Sequence, residues 1–144
     1  MISTKGRYAL RLMLDLAENQ KDGYVALKDI AKRQDISKKY LEQIVPMLNK
    51  SGLLLTTRGY QGGYRLAKNA NECTVGDILR VTEGSIAPVT CLETQENTCK
   101  KADSCITLGV WRGLYDVISE YLDSITLQTI LDNNRKQSAD EYYI

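Results

Sequence analysis

The sequence predicts a mainly α-helical fold that contains one small β-hairpin and has a long helix near its C-terminus. Apolar residues recur at helical spacing through most of the chain, and a glycine-rich turn separates two short apolar runs near its middle. The chain has 144 residues, of which 43% are hydrophobic and 26% are charged. That composition is typical of a folded globular protein and excludes disordered and collagen-like classes.

The residue types exclude most enzyme chemistry. The chain contains no histidine, which removes Ser-His-Asp triads, Cys-His proteases and zinc sites built from Cys and His. No glycine-rich phosphate loop is visible, and a catalytic cysteine would lack a histidine base. We therefore expect that the protein is not an enzyme. Its apolar runs are too short to span a bilayer and its N-terminus lacks a signal-like apolar stretch, so we expect a cytoplasmic location and no membrane partner.

A pair of helices joined by a tight turn follows a first helix over residues 6–20. Residues 26–34 form a short amphipathic helix, and Ser37 is a suitable N-cap for the next one, which we expect to end at 50–52. The second helix of the pair is polar and basic on one side, which is the helix-turn-helix pattern. Pro46 lies inside it, so we expect a kink there or an exposed side.

A β-hairpin follows directly. Residues 53–57 and 64–67 read as strands, and the glycine-rich segment 58–63 reads as the turn between them. A hairpin placed after a helix-turn-helix defines a winged helix. The fold class is therefore mainly α, with a winged helix-turn-helix DNA-binding domain over residues 1–83 and a long C-terminal dimerisation helix.

The rest of the chain divides into a loop and helices. A capping box at Thr74 and Asp77 opens a helix that runs to about Glu83. Residues 84–106 form an irregular, cysteine-containing loop that we expect to be a sensor. Residues 107–144 form the dimerisation helix, a short helix capped by Thr126 or Ser124, and a tail that is polar from Asn133. The apolar positions of the long helix predict packing on a second copy; they are Trp111, Leu114, Tyr115, Ile118, Leu122 and Ile125.

Charge is distributed unevenly along the chain. Residues 1–70 hold 13 Lys and Arg against 6 Asp and Glu, whereas residues 71–144 hold 6 against 12. The basic first half suggests a polyanionic partner, although an unevenly charged solvated surface is an equal alternative. The residues placed to contact double-stranded DNA are Ser37, Lys38, Lys39, Tyr40 and Glu42 on the second helix of the pair, with Arg58 and Gln61 on the hairpin.

Three of these contacts have an alternative interpretation. Glu42 can accept a hydrogen bond from a cytosine amino group in the major groove. Taken alone, Glu42 is more simply explained by a salt bridge with Lys38 or Lys39 on a solvated helix face. Arg58 and Gln61 are explained equally well by the solubility of an exposed hairpin.

The spacing of three of the four cysteines favours an iron–sulfur cluster over a structural zinc site. Cys91 and Cys99 are separated by seven residues, and Cys99 and Cys105 by five, which is too wide for the usual zinc pairs. Iron–sulfur clusters accept such loops of thiolates, but three thiolates leave one ligand missing. Thiol redox chemistry and inert cysteines stay open as alternatives. The fourth ligand could be a small molecule, a residue of a partner subunit, or one of Cys73, Glu93, Glu96 and Asp103, although Cys73 reads as a small buried hydrophobe.

Several motifs are specific enough to indicate a family. They are STKGRYAL (3–10), IS (36–37), YLEQ (40–43), GL (52–53), RG (58–59), GGY (62–64) and VGD (75–77). Together they resemble the Rrf-type bacterial transcription regulators, which include members of the IscR, NsrR and CymR types. The resemblance extends over nearly the whole chain and is greatest to the IscR type. It implies a homodimer that binds a near-palindromic operator, with the long helix around Trp111 as the dimer element.

The same resemblance implies roles for individual residues. Glu42 and Arg58 match residues that read bases in IscR-like members, and Ser37 matches a DNA-contacting serine. Lys39 stands where that pattern has a second serine, so this contact would become a charged one.

The three cysteines match the loop that holds an iron–sulfur cluster in IscR-like members. The resemblance therefore implies a [2Fe-2S] cluster on Cys91, Cys99 and Cys105 whose fourth ligand is unassigned. IscR-like members place a histidine where this chain has Leu108, and NsrR-like members use an acidic residue where it has Arg7-Tyr8. The alternative is a regulator without a cluster, controlled by thiol oxidation, nitric oxide or a partner protein. The terminal Tyr-Tyr-Ile is similar to the end of CymR-like members, which lack these cysteines.

Overall fold

A computed structural model describes residues 2–21, 23–60, 62–97 and 99–142. Helices dominate and one antiparallel hairpin lies between the third and fourth of them, which confirms the predicted winged helix-turn-helix. Among the described residues, no helix is long and apolar enough to cross a membrane. The elements are α1 (Thr4–Asn19), α2 (Leu27–Gln34), α3 (Lys38–Lys50), β1 (Leu54–Thr57), β2 (Gly63–Leu66), α4 (Val75–Glu83), α5 (Leu108–Ser124) and α6 (Leu127–Tyr142).

Local signals in the sequence determine where α2 ends and α3 begins. Asp35 adopts a left-handed conformation with φ 53° and terminates α2. Two residues later, the Ser37 hydroxyl accepts a hydrogen bond from the Tyr40 backbone N–H at 3.1 Å and caps α3 as predicted. Pro46 lies on the exposed side of α3, where the bond it removes does not open the core.

The wing is a short hairpin that is tied to the helix-turn-helix. Leu54 pairs with Leu66 and Thr57 with Gly63. Val25, just before α2, exchanges two backbone hydrogen bonds of 2.8 Å with Tyr64 and so extends the hairpin by one bridge. Gly63 is required here because a Cβ atom would collide with the Val25 carbonyl. The wing is therefore fixed relative to the start of α2.

A second apolar cluster joins α4 to α5. The capping box at the start of α4 is present, since the Thr74 hydroxyl accepts from the Asp77 N–H and the Asp77 carboxylate accepts from the Thr74 N–H, each at 3.0 Å. Val75 and Leu79 of α4, with Ile86 of the following loop, form the buried centre of this cluster. Tyr115, Ile118 and Leu122 of α5 pack against it, together with Ile125 at the end of that helix.

The C-terminal region differs from the prediction of a short helix and a polar tail. α6 has 16 residues and continues well past Asn133. Its start is held by hydrogen bonds from Val75 N–H to Ile125 O at 2.9 Å and from Leu127 N–H to Cys73 O at 3.0 Å. Thr126 caps it by accepting from the Thr129 N–H. Leu127 is buried in the main core, so α6 packs back on α1, and no glycine or proline follows to end the helix.

Candidate nucleic-acid interface and cysteine loop

The outward face of α3 carries the predicted DNA-contacting residues. Leu41, Ile44, Val45 and Leu48 are buried, so the opposite side of the helix is left to solvent. Ser37, Lys38, Lys39 and Glu42 are all exposed there. A protruding helix with an exposed polar N-terminal half is the form that enters a major groove.

Two residues of the predicted DNA-contacting face, Glu42 and Tyr40, make side-chain contacts within the protein. Lys38 and Glu42 form a salt bridge of 3.9 Å, which is the pair expected from their spacing, and both side chains are more than half exposed. Such a pair contributes little to stability and is free to exchange partners. Tyr40 is half-buried, and its ring lies edge-on to the Tyr8 ring of α1 at 5.3 Å between centroids. This contact fixes the first turn of α3 against α1.

The wing presents one predicted contact residue and one unexpected aromatic. Arg58 is exposed immediately after β1. Gly59 follows with φ 109°, a conformation that favours glycine, and turns the chain at the tip. Tyr60 is fully exposed. Gln61 lies outside the described residues, so its predicted contact stays a prediction.

A groove of about 600 Å3 separates α3 from the wing. It brings Lys38 and Glu42 of α3 together with Arg58 of the wing, whereas Lys39 is not among the residues that line it. Four further polar residues that line the groove were not predicted from the sequence. Lys28 could have been found as the basic residue in the first turn of α2. The missed polar residues are Lys28, Asn49, Thr56 and Thr57.

A buried carboxylate holds the helix-turn-helix in place. Asp15 of α1 is only 1% exposed and accepts hydrogen bonds from Arg33 at 2.7 and 3.0 Å and from Gln34 at 2.9 Å. The hydrogen bond to Asp15 is the main cause that raises the pKa of Arg33. Arg33 and Gln34 are the last residues of α2, so Asp15 fixes the turn that leads into α3. The sequence prediction did not include this buried carboxylate. The signal that could have indicated it is the position of Asp15 between the apolar Leu14 and Leu16.

The three loop cysteines are accessible but separate. Cys91 is half-buried, and Cys99 and Cys105 are exposed. The Cys105 sulfur lies 3.4 Å from the Thr107 hydroxyl, and hydrogen bonding by Thr107 lowers the pKa of this thiol. Within the described ranges, no three side chains of the metal-binding types converge. Free thiols are the donor type that iron–sulfur clusters use, so the loop fits such a cluster by chemistry.

Cys73, a candidate for the fourth ligand, and Leu108, which stands where IscR-like members have a histidine, are both buried. Cys73 is 2% exposed in the main core, as predicted for a small hydrophobe, and burial raises the pKa of its thiol to about 11. This burial sets Cys73 apart from the accessible cysteines of the loop. Leu108 is also buried, so its side chain is part of the packing at the start of α5.

The predicted dimer stripe on α5 is divided between two faces. Ile118 and Leu122 pack within their own chain, so they are not part of a free face. Trp111 of the predicted stripe is exposed. The other exposed apolar residues of α5 lie on a neighbouring face of the helix, since Tyr115, Ile118 and Leu122 cover the face towards α4. Val110, Val117 and Tyr121 are 63%, 64% and 64% exposed, and Leu114 is 42% exposed. This face is the Val110–Tyr121 stripe, defined by Val110, Leu114, Val117 and Tyr121.

The winged helix-turn-helix, with the exposed polar side of α3 and the wing beside it, is the fold of a class of DNA-binding transcription regulators that are not enzymes. Residues 2–133 match the Rrf2 family, described as iron-dependent transcriptional regulators. The chain belongs to this family. The expected family and fold class are therefore confirmed.

Relatives and solved structures agree on this assignment. The HTH-type transcriptional regulator IscR of Pectobacterium atrosepticum is 42% identical over 132 residues, which are 92% of this chain and 79% of that protein. The structure of T. potens IscR is similar with a TM-score of 0.74 at 41% identity, covering 93% of this chain and 88% of the other. CymR, the global cysteine regulator of B. subtilis, has a TM-score of 0.75 at 38% identity, covering 92% and 97%.

Proposed function

We propose that the protein binds a near-palindromic operator as a homodimer in the cytoplasm, with α3 in the major groove and the wing in the adjacent minor groove. The observation that carries this proposal is the groove that gathers Lys38, Glu42 and Arg58 between α3 and the wing. In the proposed complex, Ser37, Lys38, Lys39 and Tyr40 position α3 on the duplex, while Glu42 and Arg58 read bases. Gln61 is a further wing contact.

The Val110–Tyr121 stripe supports the homodimer. Its four side chains recur at helical spacing along three turns of α5, and each is exposed. A contiguous apolar face of this kind favours burial against another surface. A second copy brings an identical face, and the twofold symmetry of such a pair matches the symmetry of a palindromic operator.

The cysteine loop is the proposed sensor. Cys91, Cys99 and Cys105 would hold a [2Fe-2S] cluster with a ligand that is not Cys73, because Cys73 is buried in the core. An iron–sulfur cluster supplies redox chemistry, and its potential responds to its ligands. The loop leads directly into α5, so ordering or loosening it would alter the dimer helix and the spacing of the two α3 helices.

A second candidate is a regulator without a cluster. It is favoured by the separation of the three loop thiols and by the similarity to CymR. The exposed Cys105 thiol, whose pKa is lowered, would then respond to oxidation or nitric oxide, or a partner protein would supply the signal.

Anaerobic reconstitution with iron and sulfide distinguishes the two candidates. We expect iron and sulfide to bind in equal numbers and the absorption spectrum of a [2Fe-2S] cluster to appear. Cys91→Ala, Cys99→Ala and Cys105→Ala should each abolish it, whereas the control Cys73→Ala should retain it. Reconstituted protein that carries no iron would exclude the cluster and leave the second candidate.

Binding to a duplex of about 30 base pairs, selected from a randomised pool, tests the DNA proposal. The logarithm of the affinity should fall with the logarithm of the salt concentration with a slope of about 0.9 for each phosphate neutralised. A flat salt response would overturn the proposal that this surface binds DNA.

A further inference from the structure

The groove between α3 and the wing reaches a third element, the first turn of α2. Leu27 and Lys28 of this turn line the groove together with Lys38 of α3 and Arg58 of the wing. Lys28 is exposed, so its charge is available to a ligand. The bridge between Val25 and Tyr64 holds this turn against the wing, so Lys28 occupies a fixed place in the groove wall.

The position of the groove indicates what passes through it. The major and minor grooves of a duplex are separated by one sugar-phosphate strand. When α3 occupies the major groove and the wing occupies the adjacent minor groove, that strand has to cross the space between the two elements. Side chains at the tips of α3 and the wing can reach base edges, whereas a side chain in the wall between them, such as Lys28, faces the phosphates of that strand.

We propose that the groove is a binding site for the phosphate backbone, in which Lys28 neutralises a phosphate of the strand that passes between α3 and the wing. The inference rests on the proposed function and adds a contact from a third element, α2. Lys28 then adds a third cation to a groove that also holds Lys38 and Arg58, against the single carboxylate of Glu42.

The position of Lys28 in the first turn of α2 allows its role in DNA binding to be tested without destabilising the fold. The backbone N–H groups at a helix N-terminus carry partial positive charge, so a lysine in the first turn is unfavourable for the helix itself. The N-cap of α2 is Ala26, which makes no side-chain hydrogen bond to these N–H groups. Replacing Lys28 by glutamine should therefore leave folding unchanged or improve it slightly, and a loss of DNA affinity cannot then arise from unfolding.

The test measures DNA binding by the full chain, using fluorescence anisotropy with the selected duplex and with a random duplex of the same length. Lys28→Gln should lower the affinity for both duplexes by about fivefold to tenfold at about 0.1 M salt, and reduce the salt slope by about 0.9 for each subunit bound. Lys28→Arg keeps the charge and should retain the wild-type slope. Lys32→Gln is the matched control, because Lys32 is an exposed lysine in the last turn of α2 and does not line the groove.

The outcomes separate this inference from the function on which it rests. Wild-type binding that falls with salt, combined with equal slopes for Lys28→Gln and Lys32→Gln, would overturn the phosphate site alone. The phosphate site is also overturned if Lys28→Gln weakens binding to the selected duplex only, since a phosphate contact carries no sequence information. A wild-type protein whose affinity ignores salt would overturn both.

Discussion

Arg80 and Asp123 form a bidentate salt bridge that joins α4 of the winged helix to the end of α5. The guanidinium Nη1 and Nη2 atoms donate to the two carboxylate oxygens at 2.7 and 2.8 Å. Hydrogen bonding by Arg80 lowers the pKa of Asp123 below its usual value, and the same bond raises the pKa of Arg80. This pair is a direct side-chain link between α4 and α5.

The salt bridge predicts a specific pH dependence of stability. Because the pKa of Asp123 is lowered by folding, its contribution is complete above the unfolded value of about 3.9 and is lost as the pH falls through the folded value. Asp123→Asn should therefore lower the free energy of unfolding near neutral pH by at most about 1 kcal/mol, since both side chains are partly exposed. In urea denaturation this difference should shrink below about pH 4. The control Asp116→Asn alters an exposed carboxylate of the same helix, and a deficit in Asp123→Asn that is constant with pH would contradict the prediction.

Gly76 makes room for this salt bridge. A Cβ atom at position 76 would overlap the Asp123 carboxylate and lie 2.9 Å from the Arg80 guanidinium. Glycine to alanine within a helix normally stabilises by up to about 1 kcal/mol. Gly76→Ala should instead give no gain or a loss, and it should remove the acid dependence assigned to Asp123. Gly109→Ala is the control, because no atom lies within 4 Å of its added methyl group. A clear stabilisation by Gly76→Ala in thermal melts would show that the pair does not need this space.

Neighbouring residues on α5 should respond differently to charge. Val117 is exposed on the Val110–Tyr121 stripe, whereas Ile118 packs against the cluster of Val75, Leu79 and Ile86. Val117→Glu should produce a folded monomer, because it places a charge in the proposed dimer contact without disturbing the chain's own core. Ile118→Glu should reduce the melting temperature, because it places a charge against that cluster. Light scattering and circular dichroism measure both properties, and a fully dimeric, folded Val117→Glu protein would refute the stripe as the interface.

Glu42 and Lys39 should separate base reading from phosphate binding. Glu42→Ala removes an acceptor proposed to contact a cytosine, so discrimination at one operator position should fall by about 1–3 kcal/mol while most affinity remains. Lys39→Ala should weaken all sequences alike and reduce the salt slope by about 0.9 per subunit. Selection from a randomised duplex pool measures the first effect and anisotropy the second. If Glu42→Ala selects the same operator with the same stringency, its role is limited to the salt bridge with Lys38.

Local rules placed most of the elements correctly. The Ser37 cap, the capping box of Thr74 and Asp77, and the glycine-rich turn of the wing each depend on residues within a few positions of one another. Such signals can be read from sequence because their hydrogen bonds form between neighbours in the chain. The family followed from the same kind of short motif.

Contacts between residues that are distant in sequence could not be predicted, because they depend on how whole elements pack together. Helical spacing placed Ile118 on an apolar face of α5. Only the position of α4 decides that this side chain packs within its own chain rather than on a second copy. In the sequence, nothing distinguishes Lys28 from the other basic residues of the first half. The Val25–Tyr64 bridge places its turn beside the wing and so brings Lys28 into the groove. Asp15 likewise became a buried partner of Arg33 only when α1 and α2 came together. The sequence by itself determined the helices before α6, the wing and the family, because these depend on local periodicity, capping and short motifs. The tertiary structure decided which polar groups share a groove and which apolar face stays free, because those depend on packing between elements far apart in the chain.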